Sequence, residues 1–505
     1  MSLFPSKPNR SRPASRYAIT FAFLFCVALG CFTPQPPAES AREQPVPGFL
    51  RIGISGDYAP FSVWSWPLPE PTHAPSEGQP TTASLLPRPP YGFSVDVARA
   101  YADARGAQIE WIKFRWPELQ SDLEARRFDI ALSGVTVRAD RALHGRFSLP
   151  LTTSSAVLLL PGDSEIGRRI AAGANARVAL NRPEIRIAVN AGGHLESVTR
   201  RLFPAAKISP VAANADVLDH LQLQLHGNDR ADAVMTDSRE APHWQKRMPS
   251  LVASSPLTQD RKAAWFAPKK NDDLVGDFDR WLLEFEADGG LAALRAKAGL
   301  PDATTARPIE ALWATLDDRL GLMTHVAESK RTLGKPVEDQ PREVRVLNAA
   351  VAGFEKEAKA RGLENISPEA VRRLFRAQIE AAKTIQRNHL ARPIPPRPHA
   401  SGEAEQGAKS DAERAEAQET LDRQIRPALI FLGDRITRLL VAARLDPDLR
   451  PAPDALKDAL ERHGLPEHQV REMNDALEDL LNRGAEQSER SSRSESEEAG
   501  KPSSA

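Results

Sequence analysis

Three basic residues in the second half of this 505-residue chain fall at suggestive intervals. Arg319 and Lys330 are eleven apart, and Arg342 follows twelve later. Eleven residues make three helical turns, so the spacing predicts that Arg319 and Lys330 project from one helix face. Asp339, Arg342 and Glu343 stand at i, i+3 and i+4 where a second helix is predicted to begin. Gln378, Ala382 and Gln386 repeat every four residues along a third. Taken singly, each cation reads as part of a solvated face with i,i+4 partners. Taken together they offer locally placed positive charge for an anionic ligand. In the first half, Gly192 and Gly193 open a turn into a predicted helix, whose N-terminal amides can bind another carboxylate.

The bulk composition narrows the partners. Lysine plus arginine and aspartate plus glutamate number 67 each, so no global field favours nucleic acid or an acidic membrane surface. An anionic ligand must be held by cations placed locally. Hydrophobic content of 41% and charged content of 27% are ordinary for globular protein, and the length allows two to four domains. The two cysteines, Cys26 and Cys31, both lie near the start, which excludes a disulfide or a cysteine-ligated metal from either folded half.

The elements that must position these residues change character along the chain. From Phe49, FLRIGIS reads as a strand, FSVDVARAYADARG as a helix and QIEWIKF as a strand. The helix WPELQSDLEARR and the buried strand FDIALSGV follow. This alternation predicts a doubly wound α/β domain running to about Leu300, with a proline-rich surface excursion over Trp64–Pro90. After Pro301 strands stop. PIEALWATLDDRLGLMTHVAESKRTL, REVRVLNAAVAGFEKEAKARG and SPEAVRRLFRAQIEAAKTIQRNHL carry apolar residues at helical spacing, with Ser367-Pro368 as a helix start. Residues 392–412 read as a linker. Further helices run through LDRQIRPALIFLGDRITRLLVAARL and EHQVREMNDALEDLLNRG, and the tail 485–505 is predicted to be disordered.

The strings DDRLGLMTHVAESK, KPVEDQPREVRVL and LFRAQIEAAKTIQ resemble the all-helical chorismate mutases of the AroQ type, and more narrowly their secreted class. The resemblance covers nearly all of 308–484 and implies an all-α domain over 306–484 that rearranges chorismate to prephenate. It implies that Arg342 and Arg426 clamp the two carboxylates, and that Lys330 and Gln386 hydrogen-bond the ether oxygen. Arg319, Asp339 and Glu343 would complete the pocket. Ala382 stands where that family commonly has serine or threonine, which removes one hydrogen bond.

The strings GDYAPFS, GFSVDVARAYA and RWPELQSDLEARRFDIALSGVTVRADR resemble a type II periplasmic solute-binding fold of two lobes. WPEL, VNAGGHLESV and ADAVMTDSREA bring the resemblance closest to cyclohexadienyl dehydratase, over 49–303. It implies dehydration and decarboxylation of prephenate to phenylpyruvate, or of arogenate to phenylalanine, without a cofactor or metal. Arg141 would grip a ligand carboxylate, and Glu196 would be the catalytic acid, its pKa raised in a dry cleft. Asp57, Trp116, Ser133, Thr136 and Asp237 would line the cleft. His194 stands where a small hydroxyl residue is expected before the glutamate. Receptors share this fold, so a mutase fused to a solute-binding receptor is the competing reading.

Arg10, Arg12 and Arg16 precede the apolar run Tyr17–Gly30, so residues 1–41 read as an export leader delivering the protein to the periplasm. Cleavage before Cys31 would leave a lipid anchor, and cleavage near Ala41 would release the protein free. The oligomeric state, a homo-oligomer included, is left open.

Overall fold

The structure, a computed structural model, describes residues 48–64, 89–221, 230–268, 272–301, 305–363, 367–393, 410–446, 460 and 462–481. The leader with Cys31, nearly all of the proline-rich excursion and of the linker, and the terminal tail lie outside the described residues. Among the described residues no helix is long and apolar enough to cross a membrane.

The first half forms two lobes rather than one doubly wound sheet. The first lobe's sheet is ordered Gln108–Lys113, Phe49–Ile54, Ile130–Thr136, Asp260–Phe266 and Arg146–Phe147, with Thr152–Ser154 also on Asp260–Phe266. The second lobe's sheet is ordered Lys207–Val211, Arg186–Asn190, Ala233–Asp237, Ala156–Pro161 and Leu251–Ala253. The chain crosses between lobes twice, near 155 and over 254–259. Strands that arrive by crossing run against their neighbours: Ala156–Pro161 is antiparallel to Ala233–Asp237, and Asp260–Phe266 to Ile130–Thr136. The central strand Ile130–Thr136 is buried at every residue, which explains its unbroken apolar reading.

The second half is helical throughout its described residues. The long apolar pattern from Pro308 divides at Leu322 into Pro308–Gly321 and Met323–Leu333. Arg319 and Lys330 therefore sit on successive helices, not on one uninterrupted face. Asp339 caps Gln340–Ala360 by accepting from the Arg342 amide, and Ser367 caps Pro368–Leu390 in the same way. Asp411–Thr420 begins inside the predicted linker behind a Ser410–Glu413 capping box, then passes through the wide turn Leu421–Ile425 into Arg426–Arg444.

One apolar core runs from the first lobe into the helices, joining Leu149, Leu151 and Leu300 to Ile309, Leu312 and Leu316. Buried ion pairs fix the angle of that joint. Arg261 lies 2.6 Å from Asp317 and also bonds Asp318. Arg435 lies 2.8 Å from Asp279 and donates to the Phe147 carbonyl. Asp317 is further held by His463 at 2.8 Å and Arg462 at 3.1 Å. Burial alone would raise the Asp317 pKa. The surrounding charges of Arg261, Arg462 and His463 outweigh burial and hold it at about 2.

A carboxyl depressed in the folded state stabilises the fold fully above its unfolded pKa of about 4. That contribution, on the order of 2 kcal/mol, fades as pH falls from about 4 to about 2. Urea unfolding between pH 2 and 5 should therefore show a steeper loss of stability in the parent than in Asp317→Asn. Parallel profiles would place the acid sensitivity elsewhere.

Candidate functional sites

The helical half encloses a cavity of about 410 Å³. Arg319, Lys330, Asp339, Arg342, Glu343, Ala382, Gln386 and Arg426 all line it, contributed by five elements. Met323, Val326, Val346, Ile379 and Leu429 supply its apolar wall. Although Arg319 and Lys330 belong to different helices, the break between them leaves both aimed into the same space. Gln378 lies outside the lining, fully buried, with neither amide atom hydrogen-bonded.

The cations are short of anions. Among the described residues, no carboxylate lies within ion-pair distance of Arg319, Lys330 or Arg342. Arg319 is 7% exposed, and its Nε and one Nη have no partner. Burial, with the Arg342 charge added, pushes its pKa down to about 10. Burial and then the Arg426 charge also lower Arg342, only partly offset by Asp339. Burial lowers Lys330, whose ammonium donates to the Val337 carbonyl at 2.6 Å. The two acids are engaged otherwise: Asp339 as a helix cap, and Glu343 with Lys383 at 2.9 Å. Arg426 pairs with Asp422 of the wide turn before it, and its Nε is left without an acceptor. Gln386 donates from Nε2 to the Ala382 carbonyl at 3.1 Å. Such a pocket is complementary to a compact dianion with an apolar body.

The lobes of the first half meet over a smaller space. A void of about 30 Å³, about one water in size, is bounded by Tyr58, Trp116, Thr136, Arg141, His194 and Lys262 among others. It lies beside an open cleft of about 620 Å³ lined by Asp57, Lys113, Arg115, Trp116 and Arg127 among others. Gly192, at φ +70°, lies so near Pro117 of the other lobe that a Cβ would come within 2.6 Å of its Cα. Lobe closure requires a glycine there. Arg141 is buried over the Trp265 ring and donates to the Thr136 carbonyl at 3.3 Å. Burial and the neighbouring Arg138 lower its pKa to about 10.

Three sequence assignments shift. Glu196 does not line the void: its carboxylate accepts from the Gly192 amide at 2.7 Å and pairs with Arg200 at 2.7 Å, an acceptor's position at the outer side of the helix start. Ser133 is buried inside the sheet, bonded to Ser55 and Ser62, because its place on a central strand turns it into a hydroxyl cluster. Asp237 lies behind the lining, 3.0 Å from the Lys262 ammonium. Asp57, Trp116, Thr136 and Arg141 stand at the cleft as expected.

Sequence reading missed Lys262, which also donates to Thr136 at 2.8 Å and Tyr58 at 3.1 Å. It missed Glu240 too, buried against Asn214 and Thr236, where burial raises the carboxyl pKa well above the ordinary range. Lys262 lies in a string with no motif of its own, and Glu240 lies within ADAVMTDSREA, where sequence reading singles out only Asp237. His194 faces Asp260 of the opposite lobe at 3.1 Å, and burial lowers its pKa.

A buried cation without an anion is a cost to the fold that a ligand offsets. Arg319→Met should raise the thermal midpoint of the ligand-free protein by a few degrees, since about 1 kcal/mol corresponds to roughly 2–4 °C at this domain size. A clear fall in the midpoint would mean that the guanidinium stabilises the fold itself.

Comparison with known proteins agrees with this division. Residues 79–300 match the family model of bacterial extracellular solute-binding proteins, family 3, and residues 310–387 match that of chorismate mutase type II. Cyclohexadienyl dehydratase of Pseudomonas aeruginosa is 27% identical over 53% of this chain and 88% of its own length. An L-cystine-binding protein of Escherichia coli is 22% identical over 50% of this chain and 82% of its own. Among solved structures, an ancestral amino-acid-binding protein described as a precursor of cyclohexadienyl dehydratase gives a TM-score of 0.40 at 26% identity. That match covers 50% of this chain and 95% of the other.

Proposed function

We propose, for a chain that carries a chorismate mutase type II domain behind a solute-binding domain homologous to cyclohexadienyl dehydratase, that one polypeptide performs two consecutive steps towards phenylalanine. Residues 306–484 would turn chorismate into prephenate, and residues 49–303 would turn prephenate into phenylpyruvate. The observation that carries the first step is the gathering of Arg319, Lys330, Arg342, Gln386 and Arg426 on one cavity, where among the described residues Arg319, Lys330 and Arg342 have no carboxylate at ion-pair distance.

The rearrangement of chorismate breaks an ether C–O bond while a C–C bond forms within the same molecule. It needs a folded conformer and donors aimed at the ether oxygen as charge builds there. Arg342 and Arg426 hold the two carboxylates in this reading, and the ammonium of Lys330 and the amide of Gln386 face the oxygen. Arg319, short of acceptors, adds a fourth positive charge to the dianion's surroundings. Asp339 and Glu343 set Arg342 and Lys383 in place. Each donor to the developing oxyanion contributes on the order of 2.7–4 kcal/mol in the transition state.

Replacing Arg342 with alanine should nearly abolish chorismate consumption while leaving prephenate turnover by the same protein intact. Unchanged chorismate consumption would remove this cavity from the reaction.

In the cleft, prephenate loses its ring carboxylate as carbon dioxide, and the released electron pair aromatises the ring as the 4-hydroxyl leaves with a proton as water. Arg141 binds a carboxylate in this reading, and the amides after Gly193 bind the other. The proton comes from Glu196 once ligand-driven rearrangement turns it inward, or from His194, which already borders the void. The placement of Glu196 also favours a second reading, in which the first domain only binds its ligand, as the L-cystine-binding relative does by its name. Export of the chain through residues 1–41, with Cys31 as a lipid anchor or removed, belongs to the same proposal.

Prephenate turnover, assayed near or above neutral pH against a no-enzyme control, separates these readings. A lost general acid costs about 10²–10⁴-fold. Loss in Glu196→Gln with retained prephenate binding identifies Glu196 as the acid, and loss in His194→Gln alone moves the role there. A parent that binds prephenate without turnover would make the domain a receptor.

A further inference from the structure

A third cavity, of about 180 Å³, lies between the first lobe and the helical domain and belongs to neither site above. It exceeds the ~150 Å³ apolar cavity known to take up benzene. Its floor is apolar, with Ala142 and Phe147 from the lobe and Phe431 and Leu432 from the helix Arg426–Arg444. Two buried guanidiniums share the Phe431 ring, Arg435 at 4.5 Å and Arg146 at 5.6 Å from its centroid.

Neither guanidinium is fully satisfied. Arg146 is 4% exposed, and its Nε makes no hydrogen bond. Its nearest carboxylate, Asp272, stands 3.5 Å away and is 44% exposed, and its other contact is the Gly145 carbonyl at 3.2 Å. Arg435 is 2% exposed; one of its Nη atoms meets both Asp279 and the Phe147 carbonyl, and its Nε has no acceptor. Two unsatisfied donors of like charge, side by side above an apolar floor, are costly unless an anion joins them.

We propose that this interdomain cavity is a binding site for a small single-ring carboxylate, its ring against Phe147 and Phe431 and its carboxylate beside the guanidiniums of Arg146 and Arg435. The carboxylate would compete with the 3.5 Å contact between Arg146 Nε and the half-exposed Asp272, and would leave the Arg435–Asp279 pair in place. The proposal is independent of which reactions the two domains catalyse.

Because both other sites also favour ring carboxylates, the test uses the full chain carrying Arg141→Ala and Arg342→Ala. Calorimetric titration with benzoate should find one saturable site per chain. Acetate, with charge but no ring, and benzyl alcohol, with ring but no charge, should each bind at least about ten-fold more weakly. Arg146→Gln in the same background should weaken benzoate at least about ten-fold. Ala142→Leu, which fills the floor while keeping every charge, should do the same, and it decides the matter if Arg146→Gln melts early. Absence of benzoate binding in the background protein would overturn the proposal, as would unchanged affinity in Ala142→Leu or in a folded Arg146→Gln.

Discussion

Asp260, Arg261 and Lys262 are consecutive charged residues at the start of one strand, and the pleat sends them to different bodies. Side chains alternate across a strand, so Asp260 and Lys262 share a face and Arg261 takes the other. On the cleft side, Asp260 meets His194 and Lys262 meets Asp237, both from the second lobe. On the far side, Arg261 enters the helical domain and meets Asp317 and Asp318. The residue that follows these aspartates is Arg319, in the wall of the helical cavity. A single strand thus ties the closing lobes to the docked helices. Removing one partner from such a buried pair costs about 3–5 kcal/mol, because the other charge stays behind. The relative placement of all three bodies depends on this strand.

Against that well-paired joint, the two site regions are deliberately under-paired. Arg261 has two carboxylates, whereas Arg141, Arg319 and Arg342 have none at ion-pair distance among the described residues. The difference tracks chemistry. A pair already satisfied within the protein has nothing left for an anion, and an unsatisfied buried cation has its hydrogen bonds in reserve. The acids nearest the helical cavity follow the same logic, since Asp339 is committed to a helix cap and Glu343 to Lys383. They position cations without neutralising the space the substrate would occupy.

Much of the helical site was legible from spacing and resemblance. A helix start near Asp339 was read from the chain, its role as the cap was not, and the Gln386 position came from a four-residue repeat. Even Arg426, beyond a long linker, reached the cavity it was assigned to. The cleft was legible in part. Arg141 and Trp116 stand where expected, but Glu196 turned to Arg200 and the Gly192 amide, a choice made by local hydrogen-bond competition at a helix start.

The sequence by itself determined the two-part organisation and the helix starts near Asp339 and Ser367, because these rest on periodicity and capping, which act over a few residues; the set of cations came from resemblance. Only the tertiary structure decided where the crossings between lobes turn strands antiparallel, that Lys262 sits at the cleft with Glu240 buried behind Asn214, and that the halves share a core. It also decided that Arg146 and Arg435, 289 positions apart in sequence, face one aromatic ring. Such contacts are set by how whole elements pack, and a charge pairs with whatever packing brings within a few ångströms. No local pattern encodes that distance.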